Sequence, residues 1–210
     1  QWWLAGILGG LVSATRFVGI FLFPALVAEC YQEEKRKTKK EKVNKLVPLL
    51  LVFSGLLVYM LYLKKTTGDA LYFLHALPFF GTQRTGGKII LLHQVFWRYL
   101  KMILTTKFDV LYFIVWTELL VGVLFLILSV AACFKLRASY AIFMVLAYLA
   151  PTLTGTFSSI PRYVLVLFLG FILLAQWAEK KRCLKIAYPI SALIFGVIFV
   201  ALFIRGWFVS

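Results

Sequence analysis

What most limits this chain is a series of apolar runs too long for a soluble core. An α-helix rises about 1.5 Å per residue and needs roughly 20 apolar residues to cross about 30 Å of hydrocarbon. Six runs approach that length: residues 2–28, interrupted by Arg16; 46–63; 110–134, carrying Glu118; 138–153; 163–178; and 186–204. In hydrocarbon the backbone must satisfy its own hydrogen bonds, so such runs fold as helices. The expected fold class is all-α: a polytopic integral membrane protein with about six transmembrane helices, forming a single membrane domain over residues 1–210. Apolar residues are 62% of the chain and charged residues 15%, where soluble domains run near half and a quarter.

The net charge is +15, from 23 Lys and Arg against 8 acids. In a soluble chain that balance suggests nucleic acid. Here most of the charges sit between apolar runs, so they read as topology signals and as contacts to membrane lipids, with no nucleic-acid partner expected. Residues 29–45 carry seven cations (Lys35, Arg36, Lys37, Lys39, Lys40, Lys42, Lys45), 135–137 two and 180–185 four; 64–109 spreads seven over 46 residues and 152–161 has none. Positive-inside asymmetry then places 29–45, 135–137 and 180–185 in the cytoplasm, and 64–109, 152–161 and the C-terminus outside. The Lys/Glu run at 33–42 reads as a solvated loop. The first run has two readings, because Arg16 divides it into halves: one interrupted span, or a hairpin with both ends cytoplasmic. The chain opens Gln1-Trp2-Trp3-Leu4 with no Met and no cleavage site, so an N-terminal part of the same chain is expected upstream.

The long outer segment 64–109 holds a turn-rich stretch over 66–88, with aromatic residues between the breakers. From 89 to 106 the pattern turns helical, with Gln94, Arg98, Lys101 and Thr105 at intervals of four, three and four. That spacing puts them on one stripe of an otherwise apolar helix, the pattern of a helix lying in the membrane interface.

Several residues are candidates for chemistry. A cation inside an apolar run costs roughly 2.5 to 3.5 kcal/mol to insert and is normally directed at a partner or a watery cavity. Arg16 is either a cation facing an anionic lipid-linked substrate, or a structural residue that snorkels or pairs with an acid such as Glu118. Arg162 follows Pro161 at a helix start beside Thr152, Thr154, Thr156, Ser158 and Ser159. There a guanidinium, hydroxyls and helix N–H groups together suit a phosphate; the alternative is an interface anchor. His75 and Asp69 share the irregular outer stretch, where a spacing of six residues implies no geometry for acid–base work. Gln94, Arg98 and Lys101 suit headgroups or substrate. Cys30, Cys133 and Cys183 are odd in number and widely spaced, with neither a disulfide framework nor a zinc pattern. No nucleophile elbow, P-loop, HExxH or dinucleotide-binding motif is present.

Five pieces in order carry a family resemblance: Ala14-Thr15-Arg16-Phe17-Val18-Gly19; Gly68-Asp69-Ala70-Leu71-Tyr72-Phe73-Leu74-His75-Ala76; Gln94-Val95-Phe96-Trp97-Arg98-Tyr99-Leu100-Lys101; Ser158-Ser159-Ile160-Pro161-Arg162-Tyr163-Val164; and Arg205-Gly206-Trp207-Phe208-Val209. Their order and position resemble the PIG-V-like mannosyltransferases, the GPI mannosyltransferase type of GT-C glycosyltransferase, in a bacterial member. The chain departs from that pattern at Phe17, where the family carries Pro, and at Leu77, where it carries Gln. The resemblance implies an enzyme of the bacterial inner membrane whose outer face transfers mannose or a related hexose from a polyprenyl- or dolichyl-phosphate donor to a glycan or lipid acceptor. It also implies a catalytic acid upstream of residue 1, matched by neither Asp69 nor Asp109. Within this chain, Arg16, Arg98, Lys101, Arg162 and Tyr163 are the expected ligands of the donor phosphate, and Asp69, His75 and Gln94 lie on the sugar or acceptor side, with no metal ligands. The alternatives from other classes are a transporter or lipid flippase with Arg16 and Glu118 along its pathway, and a non-catalytic membrane subunit.

Overall fold

The computed structural model describes residues 1–33, 45–80, 89–180 and 182–207. The basic run at 34–44, the stretch 81–88 with Gln83, and Phe208 and Val209 lie outside the described residues. All regular elements among those described are helical: α1 (Trp2–Thr15), α2 (Leu22–Glu33), α3 (Lys45–Thr67), α4 (Tyr72–His75), α5 (Leu92–Thr105), α6 (Val110–Lys135), α7 (Ala138–Thr152), α8 (Ile160–Val164), α9 (Phe168–Lys180) and α10 (Arg182–Ile204). Short 3-10 turns cover Phe17–Phe21, Leu50–Phe53 and Leu77–Phe80. The helices α3, α6 and α10 are long and apolar enough to cross a membrane; α1, the segment Phe17–Gln32 and α7 are apolar but shorter. The protein is therefore an all-α, multi-pass membrane protein.

The first run is not one helix. Arg16 adopts extended backbone (φ −146°, ψ 134°) between α1 and the 3-10 turn, and the chain doubles back there. Gly19 packs on the backbone of Ser13 and Val12. Further along, Gly9 meets Val52 while Phe23 lies 4.7 Å from Phe53, ring to ring. Partners that rise on one strand of the hairpin while falling on the other mark antiparallel helices. Thus α1 and α2 form a hairpin with its tip at Arg16, the second of the two readings of this run. Alongside, α1 runs parallel to α3, with Gly6 on Pro48 and Gly10 on Leu51 and Ser54. A β-carbon on Gly55 would overlap the Gly10 carbonyl oxygen; small residues permit this backbone contact, as is common between membrane helices. Ser13 adds a hydrogen bond from its Oγ to the Val52 carbonyl at 2.5 Å.

The main core lies among α6, α7, α8 and α9, with Phe125, Leu128, Met144, Tyr148, Ile160, Leu167 and Leu173 nearly inaccessible. The run at 163–178 is broken: α8 stops at Val164, and the next turn carries Leu167 into this core before α9 begins. Tyr148 ties α7 to α6 by donating to the Gly122 carbonyl at 2.8 Å. The helix expected at 89–106 is α5; Val95 and Tyr99 enter the core while Gln94, Lys101, Thr105 and the apolar Trp97, Leu100 and Leu104 are exposed. One buried edge with polar and apolar residues on the exposed faces is the pattern of a helix suited to a membrane interface. At the chain's far end α10 packs on α9, and Phe195 and Phe199 meet Phe113 of α6, but its other faces are open and apolar, as on a lipid-facing helix.

Candidate functional site

Contacts sort the polar side chains onto two ends of the bundle. At one, Lys45 stands over the Trp2 ring at 5.6 Å, Arg137 bonds Glu29 at 2.8 Å, Ser139 donates to the same carboxylate at 2.5 Å, and Lys135 stands over Trp177 at 5.1 Å. These turns are the ones that charge asymmetry assigns to the cytoplasm. The hairpin tip, the end of α7 and the start of α8 gather at the other end.

There the structure brings Arg16, Arg162 and Tyr163 onto one cavity of about 450 Å³. Phe17 and Val18 follow Arg16 along the lining; Phe73, Leu74 and Leu77 come from α4 and the turn after it, Ala150 and Pro151 from the end of α7, and Thr154 from the loop that follows. The wall is apolar and aromatic, with Phe73 set 5.9 Å from Phe17 and 6.0 Å from Tyr59. Neither arginine has an acidic partner among the described residues. Arg162 lies 5.7 Å from the Tyr163 ring centroid, a cation–π contact that leaves its N–H groups available. Two unneutralised guanidinium groups on an apolar cavity favour an anionic head carrying an apolar tail.

The helix N–H groups at Arg162 do not contribute as the sequence suggested. Ser159 N–H donates to Glu118, Ile160 to Phe157, Arg162 and Tyr163 to Ser159, and Pro161 has no N–H. With its first-turn donors spent and only five residues, α8 supplies the Arg162 side chain and no backbone anion site.

Glu118 has a different task from pairing with Arg16. It is 6% exposed, accepts from the Tyr99 hydroxyl at 2.6 Å and from Ser159 N–H at 3.0 Å, and does not line the cavity. Thr156 Oγ1 joins Tyr99 at 3.1 Å and accepts from Ser158 N–H. Ser159 sits at φ 65°, the one non-glycine residue with positive φ among those described, a conformation that needs outside support. The carboxylate of α6 thus braces the loop that aims Arg162. An acid inside a span was visible in the sequence; its partners were not, because they lie 19 and 41 residues away.

Other expected ligands lie apart from the cavity. Arg98 donates to the Gly155 carbonyl at 2.9 Å and so ties α5 to the 153–159 loop, supported by Ile90 N–H on the Leu153 carbonyl. Lys101 and Gln94 are exposed on α5. His75 and Asp69, which the spacing left without geometry, are in fact bonded, Nδ1 to Oδ2 at 2.6 Å. Asp69 Oδ1 also accepts from Leu71 N–H at 2.9 Å. These two bonds, the His75 contact first, hold the Asp69 carboxyl below its ordinary range. The lining aromatics Phe17 and Phe73 carried no sequence signal beyond standing near Arg16 and His75. Among the described residues no three His, Cys, Asp or Glu side chains gather as metal ligands, and Cys30, Cys133 and Cys183 form no disulfide.

Comparison with protein-family models, with curated proteins and with solved structures finds no match.

Proposed function

We propose that the Arg16–Arg162 cavity binds a lipid-linked phosphate and that the chain is the donor-binding membrane portion of a glycosyltransferase. The transferred sugar is mannose or a related hexose, carried on a polyprenyl or dolichyl phosphate, and the acceptor is a glycan or lipid on the outer face of a bacterial inner membrane. The observation that carries the reading is the pair of guanidinium groups, without acidic partners among the described residues, on one apolar and aromatic cavity. Arginine forks suit phosphate oxygens, and Phe17, Phe73, Leu74 and Leu77 suit an isoprenoid chain. The step from a lipid phosphate to a glycosyl donor rests on the five motif pieces, of which three, those containing Arg16, Phe73 and Arg162, reach this cavity.

In such a transfer the bond from the anomeric carbon to phosphate breaks and charge accumulates on the departing phosphate. Cations held in advance at that oxygen lower the barrier because they need not reorganise as the charge grows. In the intact enzyme in proteoliposomes, with polyprenyl-phosphate mannose as donor, Arg162→Ala raises the donor KM or lowers kcat while membrane insertion stays normal. Unchanged kinetics would sink the proposal, and lipid movement without sugar transfer would point to a flippase.

A further inference from the structure

A second cavity, of about 630 Å³, opens between α9 and α10 at the end of the bundle that charge asymmetry assigns to the cytoplasm. It shares no lining residue with the Arg16–Arg162 cavity. We propose, independently of the donor reading, that it holds a phospholipid of that leaflet whose headgroup joins a primary ammonium to a phosphate, as in phosphatidylethanolamine.

The headgroup follows from the order of charges. Glu179 stands in the last turn of α9 and Lys185 in the first turn of α10, and both line the cavity. Carbonyl groups at a helix C-terminus form a negative pole and N–H groups at an N-terminus a positive one, so each side chain reinforces the pole on which it stands. The two do not pair with each other, and neither has a partner of opposite charge among the described residues. Lys180, next to Glu179 in sequence, is not part of the lining. Pro189, one turn beyond Lys185 on the same wall, has no N–H to give the Lys185 carbonyl. Glu179 and that carbonyl suit a small cation with several N–H donors. Gln176 and Tyr188, three residues from Glu179 and Lys185 and so on the same helix faces, add donors for phosphate oxygens beside the Lys185 ammonium.

The rest of the cavity suits an acyl chain. Phe171, Ile172, Leu174 and Ala175 carry the lining back along α9 toward mid-membrane, and Ile172 and Tyr188 remain exposed, so the cavity is open to lipid and not sealed as core. Other headgroups match the two poles less well. An anionic headgroup sets its charge against Glu179. A choline headgroup has no N–H for the carboxylate and is recognised by cages of aromatic rings; here Tyr188 lies near the poles, while Phe171 is about 12 Å away along α9.

The test places the full-length protein in phosphatidylcholine nanodiscs with a trace of phospholipid bearing a photoreactive acyl chain, and maps the labelled residues by peptide mass. Phosphatidylethanolamine is expected to label α9 between Phe171 and Ala178 about 10-fold or more above phosphatidylcholine or phosphatidylglycerol. Glu179→Gln lowers that excess, and Lys185→Gln lowers labelling by phosphatidylethanolamine itself, each about 10-fold. The melting temperature stays unchanged in both variants, because both side chains are exposed. Ala175→Trp fills the cavity and lowers labelling by every lipid. Equal labelling by the three lipids, or labelling that neither charge variant moves, overturns the inference. A preference for phosphatidylglycerol in the unaltered protein overturns it too, since the site then takes anionic lipids. Competition by soluble glycerophosphoethanolamine at the concentration of the lipid overturns the lipid assignment, because the acyl chains then add nothing.

Discussion

At the scale of single residues, the arginines divide by what surrounds them. Arg137 has Glu29 and Arg98 has the Gly155 carbonyl, so truncating either disturbs packing between elements. Arg16 and Arg162 face the cavity, and a hydrogen bond to a charged group contributes about 1.5–3 kcal/mol. Arg16→Ala and Arg162→Ala are each expected to weaken binding of polyprenyl monophosphate by about 10- to 100-fold, measured in nanodiscs. Arg162→Lys falls between, keeping charge without the fork, and Lys101→Ala leaves affinity unchanged. Equal affinity for polyprenol and its phosphate would contradict the charge argument. Asp69 yields a pH prediction whose sign follows from its lowered pKa. Its contribution to order in α4 is complete above the usual carboxylate value of about 4 and is lost as pH falls through the lower folded value. Hydrogen exchange at Leu71 and His75 should rise only in that acid range, and Asp69→Asn should remove the transition.

At the scale of elements, two pieces of packing set the site. The Glu118 brace joins α5, α6 and the loop before α8. Glu118→Ala leaves Ser159 N–H without its acceptor in a buried place, at about 1–3 kcal/mol for an unsatisfied group, while the Tyr99 hydroxyl keeps Thr156 Oγ1. Thermal unfolding in detergent should show that loss, with lipid-phosphate binding reduced although Glu118 touches no ligand. Glu118→Gln retains an acceptor for Ser159 and should cost less. An unshifted melting temperature for the alanine variant would remove the brace from the argument. The second piece is the contact of α1 with α3, where Gly55 allows backbone to touch backbone. A leucine there would push the hairpin, and Arg16 at its tip, away from Pro151 and Thr154. Helix positions were largely legible from apolar runs; the break at Arg16 and that after Val164 were less so, because each is set by what the neighbouring segment packs against.

At the scale of the whole molecule, the hairpin fixes how many times the chain crosses. Since α1 and α2 return to the same end, Gln1 lies on the side of Lys180, opposite Tyr72 and Lys101. Single cysteines at these four positions, with Cys30, Cys133 and Cys183 replaced, test this by labelling with a membrane-impermeant reagent. Gln1 and Lys180 should react from one side, and Tyr72 and Lys101 from the other. Labelling of Gln1 with Tyr72 would restore a single span over residues 2–28 and separate Arg16 from Arg162.

The all-α class, the apolar segments and the amphipathic pattern of α5 could all be read from residue order, and Arg16 and Arg162 stood out there as cations within or beside apolar runs. Each depends on local composition or on the 3.6-residue period, which neighbours in sequence carry. Tertiary structure alone decided that Arg16 and Arg162, 146 positions apart, line one cavity, that Glu118 serves Ser159 and not Arg16, and that Asp69 and His75 meet. Those outcomes depend on where the chain reverses and on which helix faces come into contact. Such pairings are set by packing across the whole bundle, and residue spacing does not encode them.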